Sequence, residues 1–311
     1  MIFHDVIHEL TAILVTTVFA STPMLYAALG ELVTEKSGVL NLGIEGMMLV
    51  GAIVGFAVTT LTGSAIFGVA AAALAGAAVS SVFAVLTLLL LANQVACGLA
   101  LTIFGTGLSA LIGRSYIGKP LARIPQLHIP QLTDIPLIGP LIFGQDALVY
   151  LSVAMAVAVY WFLNRTRSGL ILRSVGENHD AAHALGYSVV GIRFLAVLFG
   201  GAMSGIGGSY LSLAYTPLWS EGMTAGRGWI ALACVTFSTW RAGRVLLGAY
   251  LFGFFTIAQL HAQAFGVPIA PEFLSMTPYI ATIVVLVLIS RKASLVRMHA
   301  PACLGQVFNA G

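Results

Sequence analysis

Charged residues are scarce, and this scarcity restricts the chain more than any other feature. Asp, Glu, Lys and Arg make up 8% of its 311 residues, whereas a typical soluble domain has roughly 25%. Hydrophobic residues make up 59%, and the mean hydropathy is +0.99. A water-soluble fold would have too little polar surface to cover itself. We therefore predict an all-α, polytopic bundle of membrane helices.

The number of cysteines and the net charge are also low. The first argues against disulfides and a cysteine metal site, and the second against a nucleic-acid site. Cys97, Cys234 and Cys303 are scattered, and two of them lie in apolar runs. We expect small buried side chains there, rather than disulfides or metal ligands. The formal charge of +3 comes from arginines at the ends of apolar segments. It reflects membrane topology and does not indicate nucleic-acid binding.

Apolar runs are what the sequence has in abundance. A helix needs about 20 residues to cross roughly 30 Å of hydrocarbon. A shorter run at 229–239 can cross only in part. We predict one transmembrane domain over residues 1–311, with eight to ten helices. The candidate spans lie near residues 11–30, 47–63, 65–91, 94–113, 147–163, 194–215, 245–266 and 273–290.

A polar loop of about residues 165–193 separates two of these runs and carries four arginines. Flanking positive charge marks the cytoplasmic side of a membrane protein. Asn178 can cap a short helix, Asp180 suits its first turn, and Gly186 supplies a left-handed stop. Two turns of small residues are too short to be stable alone. Such a helix suits docking into a groove on another protein, although a plain cytosolic connector explains this stretch equally well.

Glycines interrupt the spanning pattern between residues 31 and 48, where three carboxylates also fall. Broken membrane helices are tolerated where irregular backbone lines a cavity, and they often build transport sites. We therefore interpret Asn41 and Glu45 as lining a pathway, and assign no role to Glu31 or Glu35. The alternative is a tight cytosolic turn with Glu45 beginning the next helix. The sequence leaves open on which side of the membrane this loop lies.

Two adjacent amides, Asn93 and Gln94, open the next apolar run. Their side chains can hydrogen-bond a sugar hydroxyl or a base edge of a solute. They can equally cap the helix that follows. The sequence does not separate these two roles.

Three motifs give a family resemblance over most of the chain. They are Ser-Gly-Val-x-Asn-x-Gly-x-Glu-Gly-Met-Met at 37–48, Gly-Glu-Asn-x-x-Ala-Ala-x-x-x-Gly at 176–186, and Gly-Arg-Gly-Trp-Ile-Ala-Leu-Ala at 226–233. Together they resemble permeases of ABC importers, in the nucleoside and simple-sugar branch related to ribose and branched-chain amino acid permeases. The chain departs from the family's pattern at Trp229, where Phe is usual, and at His179 and Ala242, where proline is common.

The resemblance implies alternating access driven by separate ATPase subunits, which dock on the short helix of the arginine-rich loop. No Gly-Lys-Ser/Thr phosphate-loop sequence occurs in the chain. We therefore expect ATP to bind the partner, and expect this chain to be a non-enzymatic subunit without a cofactor or metal of its own. The residues implied in ATPase coupling are Gly176, Glu177, Asn178, Ala181, Ala182 and Gly186. The residues implied along the substrate pathway are Asn41, Glu45, Asn93, Gln94 and Trp229.

The resemblance also implies further partners and a location. These are a second, distinct permease subunit, the lipid bilayer of a prokaryotic cell membrane, and an extracytoplasmic substrate-binding protein that docks near the proline-rich interval 114–146. Arg291, Lys292 and Arg297 after the last run predict a cytoplasmic C-terminus.

Two other classes of protein remain as alternatives. A secondary transporter driven by an ion gradient needs membrane-embedded carboxylates, for which Glu45 is the obvious candidate. An intramembrane enzyme needs His, Ser or acidic residues clustered on one cavity. The histidine pair His179 and His183 lies instead in the polar loop.

Overall fold

The structure is a computed structural model that describes residues 2–133, 135–264, 266, 269–290 and 300–309. Within these residues it is helical, with two isolated β-bridges and no strand. The predicted C-terminal cluster Arg291, Lys292 and Arg297 lies outside the described residues. The helices are α1 (Ile2–Lys36), α2 (Ile44–Thr62), α3 (Ala65–Ala84), α4 (Gln94–Gly113), α5 (Ala147–Arg165), α6 (Arg167–Glu177), α7 (His179–Ala184), α8 (Val189–Tyr210), α9 (Arg227–Phe237), α10 (Ala242–Ala264), α11 (Pro271–Ser275) and α12 (Thr277–Ser290).

Seven helices in the described part of the chain are long and apolar enough to cross a membrane, which confirms the predicted polytopic bundle. They are α1 to α5, α8 and α10, with α3 and α8 each extended by one π-helical turn. The short run predicted to cross only in part is α9, with 11 residues. The run predicted at 273–290 is divided between α11 and α12. Pro278 lies in the first turn of α12, where its ring and missing N–H favour a helix start.

Helices α1, α2 and α8 form the centre of the bundle. Most of the apolar part of α1 and α2 is buried, at 72% and 78%, whereas only 22% of α4 is. Small residues allow this close packing, because a bilayer supplies no hydrophobic force between helices and backbone approach decides their association. A Cβ on Gly205 would lie 2.1 Å from the Ala72 carbonyl oxygen, and one on Gly201 would lie 2.5 Å from that of Gly76. Gly201 and Gly205, in the spacing Gly-x-x-x-Gly, thus form a close crossing between α8 and α3.

The chain re-enters the bundle between α1 and α2. Gly30 lies against Gly200 and Gly51 against Gly205. With a rise of 1.5 Å per residue, α2 therefore begins roughly 5–10 Å further into the bundle than the level at which α1 ends. Residues 37–43, here called the re-entrant segment, cover this depth without regular helix. The segment starts beside α6 and α8, at the same end of the bundle as the 165–193 loop.

Gly205→Ala should destabilise the bundle, because the added methyl meets the backbone of α3 rather than a flexible side chain. Overpacking of this kind costs about 1–3 kcal/mol. We expect a lower melting temperature for the protein purified in detergent. Gly107→Ala in α4 is the matched control, since nothing lies within 4 Å of its Cβ position. Equal melting temperatures for the two variants would contradict this packing.

Candidate functional site

Helix α7 has the geometry that its sequence predicts. The Asn178 side chain accepts a hydrogen bond from the Ala181 N–H at 2.9 Å, which caps the helix. Gly186 has φ +86°, and its N–H donates to the His183 carbonyl oxygen at 2.8 Å. The outer face is exposed, and the Leu185 side chain that ends it is 77% exposed. The helix therefore presents a small, smooth surface on a loop with fixed ends.

The predicted coupling residues divide into an outer and an inner set. Glu177, Asn178, Ala181 and Gly186 are exposed. Ala182 is buried in a cluster with Val175, Val189 and Phe308, and Gly176 is buried where a Cβ would lie 2.2 Å from the Lys36 carbonyl oxygen. The inner set therefore supports α7 from below and is not available to a partner at the surface.

Arg193 joins three parts of the chain under α7. Its side chain is fully buried, with 1% exposed. It donates to the Ser37 carbonyl oxygen at 3.0 Å, to the Gln306 carbonyl oxygen at 3.0 Å, and lies 3.2 Å from Nδ1 of His179. A buried guanidinium with three oriented partners fixes their relative positions, because each would be left unsatisfied by its loss. Arg193 thus connects α7 to the start of the re-entrant segment.

The C-terminal segment 300–309 packs against the same place. The Cys303 N–H donates to the Gly176 carbonyl oxygen at 2.9 Å, and the Gly305 N–H donates to that of Gly38 at 3.0 Å. The Phe308 ring contacts both His179 and His183, at centroid distances of 5.2 and 5.4 Å. The segment therefore covers the base of α7 and the start of the re-entrant segment together.

Arg193→Met should release the C-terminal segment, because it leaves the Ser37 and Gln306 carbonyl oxygens without their charged donor. A lost buried interaction of this kind costs about 2–4 kcal/mol. We expect faster cleavage of a C-terminal tag by a nonspecific protease. Arg167→Met removes an exposed arginine of the same loop and is the control. Equal cleavage rates of the tag in the two variants would contradict this role of Arg193.

His179 is the titratable group at this junction. Burial lowers its pKa below the ordinary value of 6.5, and the Arg193 guanidinium lowers it further, while the Asp180 carboxylate opposes the shift. The native loop therefore favours the neutral imidazole. Its contribution to stability is present at neutral pH and is lost as the pH falls below about 6.5, since the unfolded loop then binds a proton more readily.

Hydrogen exchange of the α7 amides should therefore accelerate, after correction for intrinsic rates, when the pH is lowered from 7.5 to 5. His179→Gln keeps a neutral hydrogen-bonding side chain and should abolish this dependence. The exposed His183 is present in both proteins, so it serves as an internal control. A pH dependence that survives in His179→Gln would contradict the role of this group.

Side chains satisfy the polar backbone of the re-entrant segment. Glu31 Oε1 accepts from the Asn41 N–H at 3.0 Å, and Gln94 Oε1 accepts from the Leu40 N–H at 2.8 Å. Asn41 Oδ1 accepts from the Gly43 N–H at 2.9 Å, and the Thr102 hydroxyl donates to the Leu42 carbonyl oxygen at 3.0 Å. Backbone groups within a membrane need such partners. Asn41 and Gln94, predicted along the pathway, here shape the segment itself.

Glu45 holds the N-terminus of α9 inside the bundle. Its Oε1 accepts from the Thr224 hydroxyl at 2.5 Å and from the Gly226 N–H at 2.8 Å, and its Oε2 accepts from the Gly228 N–H at 2.6 Å. The N–H groups and dipole of a helix N-terminus favour a negative charge. The carboxylate therefore joins the start of α2 to the start of α9.

The other two predicted pathway residues, Asn93 and Trp229, do not share the role of Glu45. Asn93 is exposed and accepts from the Ala96 N–H at 3.0 Å, so it caps α4. Trp229 is half-buried against the main apolar core. Of the amide pair, Gln94 has a buried Nε2 that finds no hydrogen-bond partner among the described residues. Neither of the two cavities described in the bundle is lined by a predicted pathway residue.

The sequence reasoning missed two buried carboxylates and the buried arginine. Glu31 and Glu35 are fully buried one turn apart on α1, and Glu35 Oε2 accepts a hydrogen bond from the indole N–H of Trp240. By sequence alone, Arg193 is one of four positive charges that mark the cytoplasmic side. The signal that could have found these residues is their place within apolar runs. An ionisable residue there needs a polar partner, so it marks a contact between elements.

These features define a multi-span helical membrane protein with a capped surface helix tied to a re-entrant segment. A family model described as the permease component of branched-chain amino acid transport systems matches residues 13–289. The chain belongs to this family, and it is a permease subunit of an ABC transporter.

Three relatives cover nearly the whole chain. It is 40% identical to a putative glucose ABC transporter permease, TsgC13, of Haloferax volcanii, over 94% of this chain and 96% of the relative. It is 34% identical to the nucleoside permease NupC of Lactococcus lactis, over 93% and 95%. It is 31% identical to the guanosine permease NupQ of Bacillus subtilis, over 91% and 93%. No solved structure matches the chain.

Proposed function

We propose that this permease imports a nucleoside or a simple sugar by alternating access, driven by separate ATPase subunits that dock on α7. The exposed face of α7 and its two fixed ends support the docking. In this proposal ATP binds the partner, and this chain catalyses no reaction. Helix α7 lies at the same end of the bundle as Arg165, Arg167 and Arg173, and these positive charges support a cytoplasmic position for the loop.

The connection from α7 to the interior is the observation that carries the proposal. Displacement of α7 acts through His179 and Gly176 on Arg193 and on the end of α1. Arg193 and the end of α1 contact the re-entrant segment. This segment leads into α2, where Glu45 binds the start of α9. A movement at the surface is therefore transmitted to two helix ends inside the membrane through packed and hydrogen-bonded groups.

The names of the relatives and the polar groups near the re-entrant segment support the proposed cargo. The relatives are named for glucose, nucleosides and guanosine, all of which are rich in hydroxyl groups. Within the part of the chain that the structure describes, Gln94 Nε2 and Glu31 Oε2 are buried without a hydrogen-bond partner, while the other oxygens of these side chains accept from Leu40 and Asn41. A donor and an acceptor left free in this way support recognition of a sugar hydroxyl during transport.

The proposal includes three kinds of partner and a location. Haloferax volcanii has a second similar permease, TsgB13, which is 26% identical over 84% of this chain and 72% of the relative. That pair supports a second, distinct permease subunit here. A substrate-binding protein would dock on the 114–146 interval, which lies at the end of the bundle opposite α7 and bridges to Leu218. The protein would lie in the cytoplasmic membrane of a prokaryote with its C-terminus inside.

Uptake of radiolabelled nucleosides, pentoses and glucose by cells expressing the whole candidate transporter tests the proposal. Gly186→Pro should abolish uptake, because proline requires φ near −65° and removes the N–H that bonds to His183. Glu177→Arg should reduce it at least about tenfold if charge at this exposed position meets the ATPase. Competition among the labels identifies the cargo.

Each variant has a counterpart at the opposite end of the bundle. Gly63 also has a positive φ, of +72°, with open space around it among the described residues, and Glu221 is also exposed. Gly63→Pro and Glu221→Arg should insert normally and retain ATP-dependent uptake. Uptake that survives the α7 variants and deletion of the ATPase, but collapses with an ionophore, would favour an ion-coupled transporter instead.

A further inference from the structure

A cavity of about 520 Å³ opens on the side of the bundle near α7. Its walls come from α1, α5, α6 and α8, and include Val33, Met155, Phe162, Leu172 and Phe199. Among its lining side chains only Ser168 and Tyr187 are polar. The volume is typical of a small-molecule site, for which about 300–1,000 Å³ is usual. The cavity lies apart from the re-entrant segment and from Glu45.

The depth of the cavity matches one leaflet of a bilayer. Met155 lies ten residues before the end of α5, and Phe199 lies ten residues after the start of α8. At 1.5 Å per residue, both are roughly 15 Å below the α7 end, about half of a 30 Å hydrocarbon core. Leu195, also on the wall, is 67% exposed in this chain. The cavity is thus an apolar groove running from the membrane surface to its midplane.

The mouth of the groove is positively charged. Arg165 ends α5 three residues after Phe162, and Arg167 begins α6 immediately before Ser168. Both arginines are exposed, and within the described residues neither forms an ion pair. A basic mouth above an apolar groove complements a molecule with an anionic head and a hydrocarbon tail.

Aromatic residues set the level of this mouth in the membrane. Tyr160 and Trp161 lie in the last turns of α5, just before the two arginines, and are 51% and 60% exposed. Exposed Tyr and Trp are enriched at the headgroup level of membranes. The arginines therefore lie where phospholipid phosphates lie, with the groove beneath them in the acyl region.

We propose that this groove binds an anionic phospholipid, with one acyl chain along Phe162, Leu195 and Phe199 and the phosphate at Arg165 and Arg167. A second permease subunit would also cover an apolar face. The exposed unpaired charge at the headgroup level and the depth of a single leaflet favour the lipid. The site is independent of the solute pathway, so it stands whether or not the proposed cargo is correct.

Native mass spectrometry of the complete transporter, released from nanodiscs of equal phosphatidylglycerol and phosphatidylcholine, tests the proposal. The wild type should retain phosphatidylglycerol over phosphatidylcholine by about tenfold or more, as expected for two arginines near the phosphate. Arg165→Gln with Arg167→Gln should remove this preference, whereas the exposed Arg241→Gln at the same end should keep it. These variants test the charge at the mouth.

A second pair of variants tests the groove itself. Ala158→Phe fills the groove, because Ala158 lines it, and should lose the retained lipid. Val157→Phe adds a larger side chain at the neighbouring position, which is 63% exposed and outside the lining, and should retain the lipid. Equal retention of both lipids by the wild type, or normal retention by Ala158→Phe, would overturn the proposal. Separation of the two permease subunits in Ala158→Phe with lipid retention unchanged would identify a subunit interface instead.

Discussion

The structure depends on one requirement of the bilayer: each polar backbone group that leaves a helix must find a partner within the protein. The chain leaves helical structure inside the bundle twice, in the re-entrant segment and at the start of α9. Glu31, Asn41, Gln94 and Thr102 satisfy the first. Glu45 satisfies the second with both of its carboxylate oxygens. These two breaks account for five of the buried polar residues, namely Glu31, Asn41, Glu45, Gln94 and Thr224.

This requirement also gives the molecule its mechanical continuity. A broken helix held by side chains from several elements cannot move without moving those elements, since each lost hydrogen bond leaves a buried group unsatisfied. Arg193 brings the beginning of the re-entrant segment, the C-terminal segment and α7 into one buried cluster. The surface helix and the membrane interior are therefore parts of one packed unit, as a subunit moved by an external ATPase requires.

Sequence reasoning predicted local features better than it predicted contacts between residues that are far apart in the sequence. The cap at Asn178, the left-handed Gly186 and the short α9 depend on neighbouring residues, and all three were predicted. The pathway interpretation of Asn41, Glu45, Asn93 and Gln94 stays a prediction. The structure adds that three of them bond to the backbone of nearby turns or helix ends, and that Asn93 adopts the capping alternative.

The sequence alone determined that this is a helical membrane protein. Its charges are too few for a water-soluble surface, and its apolar runs are long enough to cross a bilayer, where helices satisfy the backbone hydrogen bonds. It also determined the family, since the glycine and carboxylate spacings of 37–48 and 176–186 are local patterns. The tertiary structure decided that Arg193, 156 residues from Ser37 and 113 from Gln306, joins them. It also decided that Glu45 meets α9 across more than 180 residues. Such contacts arise from packing, which no local pattern encodes.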